Sequence, residues 1–283
     1  MTVGEGMVSS MRVSRLQFVT GFLLCICLLA SCGGGGGGGG GSDGRGVRSG
    51  TASKLIREFP EPSPPAALQV QSPFAAAAGL LDCGPSSGGI SGNRLNASAE
   101  NYLLCRHNES RSRVALGLYL GVSGLLPAAG DMKKLQWDDK LEQVAQNYAN
   151  RCQWRHNPDR QAQYNALSPT DIGGEPVNGT VSVGENLAFQ SSTALTAARF
   201  SYAVNGYEAW EDEGQYYSFG ALNVNDYCSE PPCGHFTQVI WADTYKVGCA
   251  VNFCPADTVH RYPATLLVCN YAASGNYVNR QPY

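Results

Sequence analysis

Charge is what this chain has least of. Only 15% of its 283 residues are Asp, Glu, Lys or Arg, against about a quarter in an average globular domain. The two signs nearly cancel, at 20 Lys+Arg to 23 Asp+Glu. With no basic excess there is no electrostatic footprint for a polyanion, and a nucleic-acid partner is not expected. Long apolar runs are also missing: the best candidate, Phe18 to Ala30, falls short of the ~20 residues that cross a bilayer as a helix. Histidine occurs four times, at His107, His156, His235 and His260, and no His-Glu-x-x-His sequence is present. That removes the helix-borne zinc-protease site.

Cysteine, by contrast, is plentiful. Of eleven, Cys25, Cys27 and Cys32 lie in the amino-terminal apolar segment, and eight remain in the body. An even number outside an export signal implies an oxidising compartment and a disulfide framework. Met11 to Arg15 is a basic stretch ahead of the apolar run, so residues 1–32 read as a cleaved export signal. Its end, Leu29-Ala30-Ser31-Cys32, resembles the lipobox of bacterial lipoproteins. That resemblance implies lipidation of Cys32 and a membrane tether. Gly33 in place of Asp implies an outer-membrane lipoprotein at the cell surface or in the periplasm. An ordinary secretory signal and release from the cell is the alternative. Gly33 to Gly41 is unbroken glycine, and residues 33–82 add prolines and an alanine run. Such a segment buries too little to offset its ordering entropy and reads as a flexible tether, reaching roughly 40 Å. The folded domain is expected over 83–283.

Within it, apolar spacing predicts a helix over 102–118 and a second after Trp137, with Asp139 and Glu142 in capping-box order and an end near Asn157-Pro158. A loop rich in Gly and Pro closes on Val183-Gly184-Glu185-Asn186-Leu187-Ala188. A third helix is expected over about 193–216, weakened at Asn205-Gly206. Gly234 to Trp241 alternates with bulky groups on both sides and reads as a covered strand carrying His235 at its start. Lys246 to Phe253 and Ala264 to Tyr271 read as an antiparallel hairpin. Helices followed by strands give an α+β layered domain.

These segments resemble one family. Gly234-His235-Phe236-Thr237-Gln238-Val239-Ile240-Trp241 and Leu266 to Asn276 match the two signatures of the CAP superfamily, which comprises cysteine-rich secretory proteins, antigen 5 and plant pathogenesis-related 1 proteins. The stretches around His107, Trp137 to Cys152 and Gly184-Glu185-Asn186 are similar to its other blocks. The resemblance implies a three-layer α-β-α sandwich with a central antiparallel sheet. It also implies a cleft tetrad of His156, Glu185, Glu213 and His235, with Glu213 chosen over its neighbours Glu211 and Glu208. It further implies disulfides Cys152 to Cys254, Cys228 to Cys233 and Cys249 to Cys269, leaving Cys83 with Cys105. Zinc held by Cys228 and Cys233, or by Cys249 and Cys254, is the alternative.

Two imidazoles and two carboxylates in one cleft can hold a divalent metal such as Zn2+ or Mg2+ through His156 and His235, act as acid and base in hydrolysis, or form a polar cluster that orders the fold. With eight body cysteines paired, no thiol is left as a nucleophile. Family members also bind sterols and fatty acids, and Tyr216, Tyr217, Phe219 and Tyr227 stand where an aromatic lipid-binding loop is expected. His107 reads as a packing residue and His260 as a loop residue. Trp137, Trp154, Trp210 and Trp241 read as core. Of three Asn-x-Ser/Thr sites, at Asn96, Asn108 and Asn178, Asn108 in a helix is a poor acceptor. The expectation is an exported, monomeric binding protein for a small lipid or a cell-surface partner, with a metal-assisted or acid-base hydrolase as the competing reading.

Overall fold

The computed structural model describes residues 80–167, 180–220, 222 and 233–283, all within one compact unit, Ser63–Tyr283. The export segment 1–32 and the tether up to 79 lie outside the described residues, as do Tyr227, Cys228 and Asn178. In chain order the elements are β1 (Ile90–Ser91), β2 (Arg94–Leu95), α1 (Ala97–Ala115), β3 (Leu120–Gly121), β4 (Gly124–Leu125), β5 (Gln136–Trp137), α2 (Asp139–Ala149), α3 (Arg160–Ala166) and β6 (Val183–Ser191). Then come α4 (Phe200–Asp212), continued by a 3-10 turn at Glu213–Tyr216, α5 (Gly234–Val239), β7 (Lys246–Cys254) and β8 (Ala264–Ala272). Among the described residues no helix is long and apolar enough to cross a membrane.

The main sheet runs β5-β7-β8-β6. The central β8 runs antiparallel to both of its neighbours, β7 and β6, and β5 adds a two-residue parallel edge. Alternation divides the sheet's apolar residues between two helical layers. Val247, Val251, Leu267 and Tyr271 pack with Leu103 of α1, Tyr207 and Trp210 of α4 and Phe236 of α5. Ala250, Leu266 and Val268 pack with Ala145 and Tyr148 of α2, while Ala272 meets Leu141 and Tyr164. Both faces are covered, which gives the α-β-α sandwich.

Helix limits follow their caps. α1 starts at the Asn96 cap, whose side chain accepts from Ala99 N at 2.9 Å, well before Tyr102. α2 is capped by Asp138 rather than Asp139, with bonds from Lys140 N and Leu141 N. Glu142 is thereby released from a capping box to bind Arg94 and the Trp137 indole. α2 ends at Ala149, not near Pro158, and Cys152 follows with φ 51°, the left-handed conformation common just past a helix end. α4 runs straight through Gly206. Here α4 crosses β6 so closely that a Cβ on Gly206 would sit 2.9 Å from that of Ala188.

The main departure is Gly234 to Trp241. Its first six residues form α5, a helix, and not a strand. A short run apolar on both sides fits a buried helix as well as a buried strand, and tertiary contacts decide between them. The Glu213 carboxylate accepts from His235 N and Phe236 N at the start of α5. At its far end the buried Arg111 guanidinium donates to the carbonyls of Val239, Trp241, Ala242 and Thr244. An anion at the N-terminus and a cation at the C-terminus both match the helix dipole. Burial pushes the Arg111 pKa down to about 9, which leaves it charged at neutral pH.

Disulfides join Cys83 to Cys105, Cys152 to Cys254 and Cys249 to Cys269. The last pair sits directly opposite in the β7–β8 register. Cys233 is disulfide-bonded as well.

Candidate functional site: a cleft between two histidine-glutamate pairs

Glu185 lies near the start of β6 with its side chain wholly buried. Its Oε1 accepts from Asn157 N at 2.8 Å and from His156 Nδ1 at 3.0 Å. A Cβ on the preceding residue, Gly184, would strike the end of the Gln238 side chain of α5, so a larger residue there requires that side chain to move. Glu213 opens the 3-10 turn after α4. Its Oε2 takes the two α5 amides, and its Oε1 accepts from His235 Nδ1 at 2.6 Å. Glu208 and Glu211, the neighbours in sequence, bind Arg106 instead. Because a carboxylate only accepts, both Nδ1 atoms donate, and in a neutral imidazole so held the lone pair is on Nε2.

The two rings open into one cleft of about 200 Å³, lined by Trp154, Arg155, His156, Leu187 and His235. His235 stacks on Trp210, with centroids 5.9 Å apart and planes at 20°. The Trp210 indole is fixed in turn by Leu187 O at 3.1 Å. Asn186 donates to His235 O and to the Tyr271 hydroxyl. Tyr271 meets Nε2 of His107, whose Nδ1 is bonded to Leu103 O. Burial lowers the His107 pKa to about 4, so this ring is a neutral packing group. His107, Cys249 and Cys269 have ligand-type atoms within 4.8 Å of one another. Both sulfurs belong to a disulfide and both ring nitrogens are engaged, so this cluster offers a metal neither a thiolate nor a free imidazole nitrogen.

The aromatic residues distribute differently from the sequence expectation. Tyr217 is buried in the core, and Phe219 packs on Tyr283 at 4.7 Å. Tyr216 is half-buried, and none of the three lines the cleft. Trp154, read from sequence as core, is 49% exposed at the cleft mouth with its edge against Phe189. Its position two residues before His156, beyond the last apolar-periodic turn, is the signal that would have found it. His260 sits in the β7–β8 connection against Phe189 and Tyr262. Asn108 is buried and exchanges hydrogen bonds with the Leu135 backbone, which removes it as a glycan acceptor. A Gly-x-Ser-x-Gly sequence occurs at Gly84–Gly88 and at Gly40–Gly44. The first lies in an exposed irregular segment and not on the strand-to-helix turn a nucleophile needs. The second lies outside the described residues.

A disulfide-stapled α-β-α sandwich with paired His/Glu groups facing one cleft defines the class. The model of the CAP, or cysteine-rich secretory protein, family matches residues 104–271, and the chain belongs to that family. It is similar to GLIPR1-like protein 1 of Bos taurus, 38% identical over 177 residues that cover 62% of this chain and 59% of the relative. It is also similar to venom allergen 5 of Vespula pensylvanica, 34% identical over 194 residues covering 67% and 81%. The solved structure of NaASP2 with Zn2+ superimposes with a TM-score of 0.53 at 26% identity, covering 69% of this chain and 90% of that one. The chain spans about three-fifths of the length of the cattle and mouse GLIPR1-like relatives. These relatives are animal proteins, so the bacterial-lipoprotein reading of Cys32 and its outer-membrane placement gain no support. Export is supported by the disulfides together with the secretory family.

Proposed function

We propose that this is a secreted binding protein whose cleft holds a divalent cation between His156 and His235 as part of capturing a small lipid or a cell-surface partner. The observation that carries the reading is the double Nδ1 lock: each imidazole is held by a buried or half-buried carboxylate, so that Nε2 is the free atom in a shared cleft. An imidazole oriented by a carboxylate on its other nitrogen is the usual arrangement at metal sites. Two neutral nitrogens suit zinc better than magnesium, which prefers oxygen. Two protein ligands leave the remaining positions open, so such a site binds weakly and exchanges readily. NaASP2, a structural neighbour, was solved with Zn2+, which supports the same choice of ion. For a lipid, Tyr216 and Phe219 are, among the described residues, the rings of the expected loop that keep exposed surface, since Tyr217 is buried in the core.

Calorimetric titration of zinc into the full chain tests the cation. One equivalent should bind to the wild type, and His156→Ala should remove it. Binding that survives in His156→Ala would place the ion elsewhere. Native mass spectrometry of protein purified without added ligand tests the lipid, which should appear as a mass increment that remains after zinc is stripped.

A further inference from the structure

The segment Val114 to Gly130 reads VALGLYLGVSGLLPAAG, seventeen residues without a charge. β3 and β4 fold it into a hairpin with Leu120 opposite Leu125 and Gly121 opposite Gly124. Its inner face is locked to the core. The Tyr119 hydroxyl donates to Glu211 O, and Val122 N donates to Tyr217 O at 3.2 Å. A Cβ on Gly121 would meet that same carbonyl at 2.5 Å. Alternation sends Leu118, Leu120 and Val122 to the outer face, joined there by Leu125 across the ladder. These four residues are 56%, 65%, 50% and 66% exposed. A hairpin with one face in water ordinarily carries polar residues on that face. Here both faces are apolar, and an aliphatic ridge stands in solvent.

We propose that this ridge docks the protein on a lipid bilayer surface. Its chemistry separates a bilayer from a protein partner. The cores of protein interfaces are enriched in aromatic residues, Met and Arg, whereas the ridge is Leu and Val alone. Four partly exposed aliphatic side chains offer on the order of 300–400 Å², about half of the ≈ 800 Å² that each side of a stable complex gives up. A second copy of this chain is therefore a poor fit. Shallow insertion of a few aliphatic groups needs no such area, and its strength scales with the apolar surface buried and with attraction to anionic headgroups. Arg113 precedes the uncharged run and Lys133 and Lys134 follow it, with Asp131 the one acid between. Arg113 and Lys133 also pair with Glu109 and Asp243, and Lys134 is exposed.

The test is co-sedimentation of the full chain with phosphatidylcholine vesicles containing phosphatidylserine, in a Cys32→Ser background so that no acyl chain contributes. The double variant Leu120→Asn/Leu125→Asn alters only solvent-facing groups and should keep its near-ultraviolet circular dichroism. Its vesicle affinity should fall at least roughly tenfold. Hydrogen exchange at 118–126 should slow on vesicles in the parent chain and not in the variant. Equal sedimentation of parent and variant, or no sedimentation of the parent, overturns the proposal. A parent dimer in sedimentation velocity that the variant abolishes, without vesicle binding, also overturns it and assigns the ridge to a second copy.

Discussion

Glu185 and Glu213 each hold the Nδ1 of a histidine, but from supports of different kinds. Glu185 does so from a strand whose ladder to β8 is complete from Val183 to Ser191, and its second oxygen has no partner. It fixes a side chain and one loop amide, and the sheet would stand without it. Glu213 does so from a 3-10 turn, and the same carboxylate also supplies the start of a six-residue helix that has no side-chain cap of its own. Identical chemistry is thus an addition to the fold on the His156 side and part of the fold on the His235 side. A single substitution can separate binding from stability on the first side but not on the second.

That contrast is breakable by experiment. The largest effect is expected for Glu213→Ala, which strips two amides and an imidazole of their acceptor. Cap loss together with charged hydrogen bonds should cost roughly 3 kcal/mol in urea unfolding, with zinc binding lost as well. A stable Glu213→Ala protein would end the distinction.

Next is acid. His107 supports the His235 side through Tyr271 and Asn186, and its folded pKa of about 4 lies below the unfolded value of 6.5. The unfolded chain therefore binds the extra proton first. Stability is fully present above pH 6.5 and falls as the pH drops towards 4, by roughly 3 kcal/mol in all. Unfolding midpoints measured between pH 7 and 5 should slope downward with acid, and a His107→Gln protein should show a flatter profile over that window. An equal slope in both would assign the loss to other groups.

On the opposite side, His156→Ala should abolish zinc binding yet cost only about 1 kcal/mol, because the ring is 58% exposed and water can take its place beside the buried Glu185 carboxylate. The smallest effect is expected for Glu185→Gln. Its amide oxygen can still accept from Asn157 N, so folding should be unchanged while zinc affinity drops about tenfold through loss of the oriented, more basic imidazole.

The two sides also differed in how far the sequence disclosed them. The β7–β8 hairpin was legible from its apolar runs, and the tetrad from family signatures. His156 sits where local pattern indicated, after a helix, whereas Glu185, expected at the close of a glycine-marked loop, lies in the strand β6, whose pairing with β8 local pattern does not disclose. The Gly234 to Trp241 segment misled because its apolar groups are close-packed on every side. Strand and helix periods cannot be told apart over six such residues, and the groups that decide, Glu213 and Arg111, lie 22 and 128 residues away from their α5 partners. Caps shifted by one residue, as at Asp138, escaped for a related reason: either of two adjacent aspartates satisfies the pattern, and only the backbone direction selects one. Residue type alone places Trp154 in the core, although its place in a loop beside His156 governs its exposure.

The proposed cation site requires both imidazoles to be held as Nδ1–H tautomers with Nε2 free. Long-range proton–nitrogen correlation spectra of the histidine rings, recorded on the full chain at neutral pH with and without zinc, read this directly. The account expects His156 and His235 to show protonated Nδ1 and bare Nε2, with both Nε2 resonances moving together as zinc is added and His107 and His260 unmoved. Protonation at Nε2 in either ring, or zinc addition that leaves both Nε2 signals in place, would contradict it.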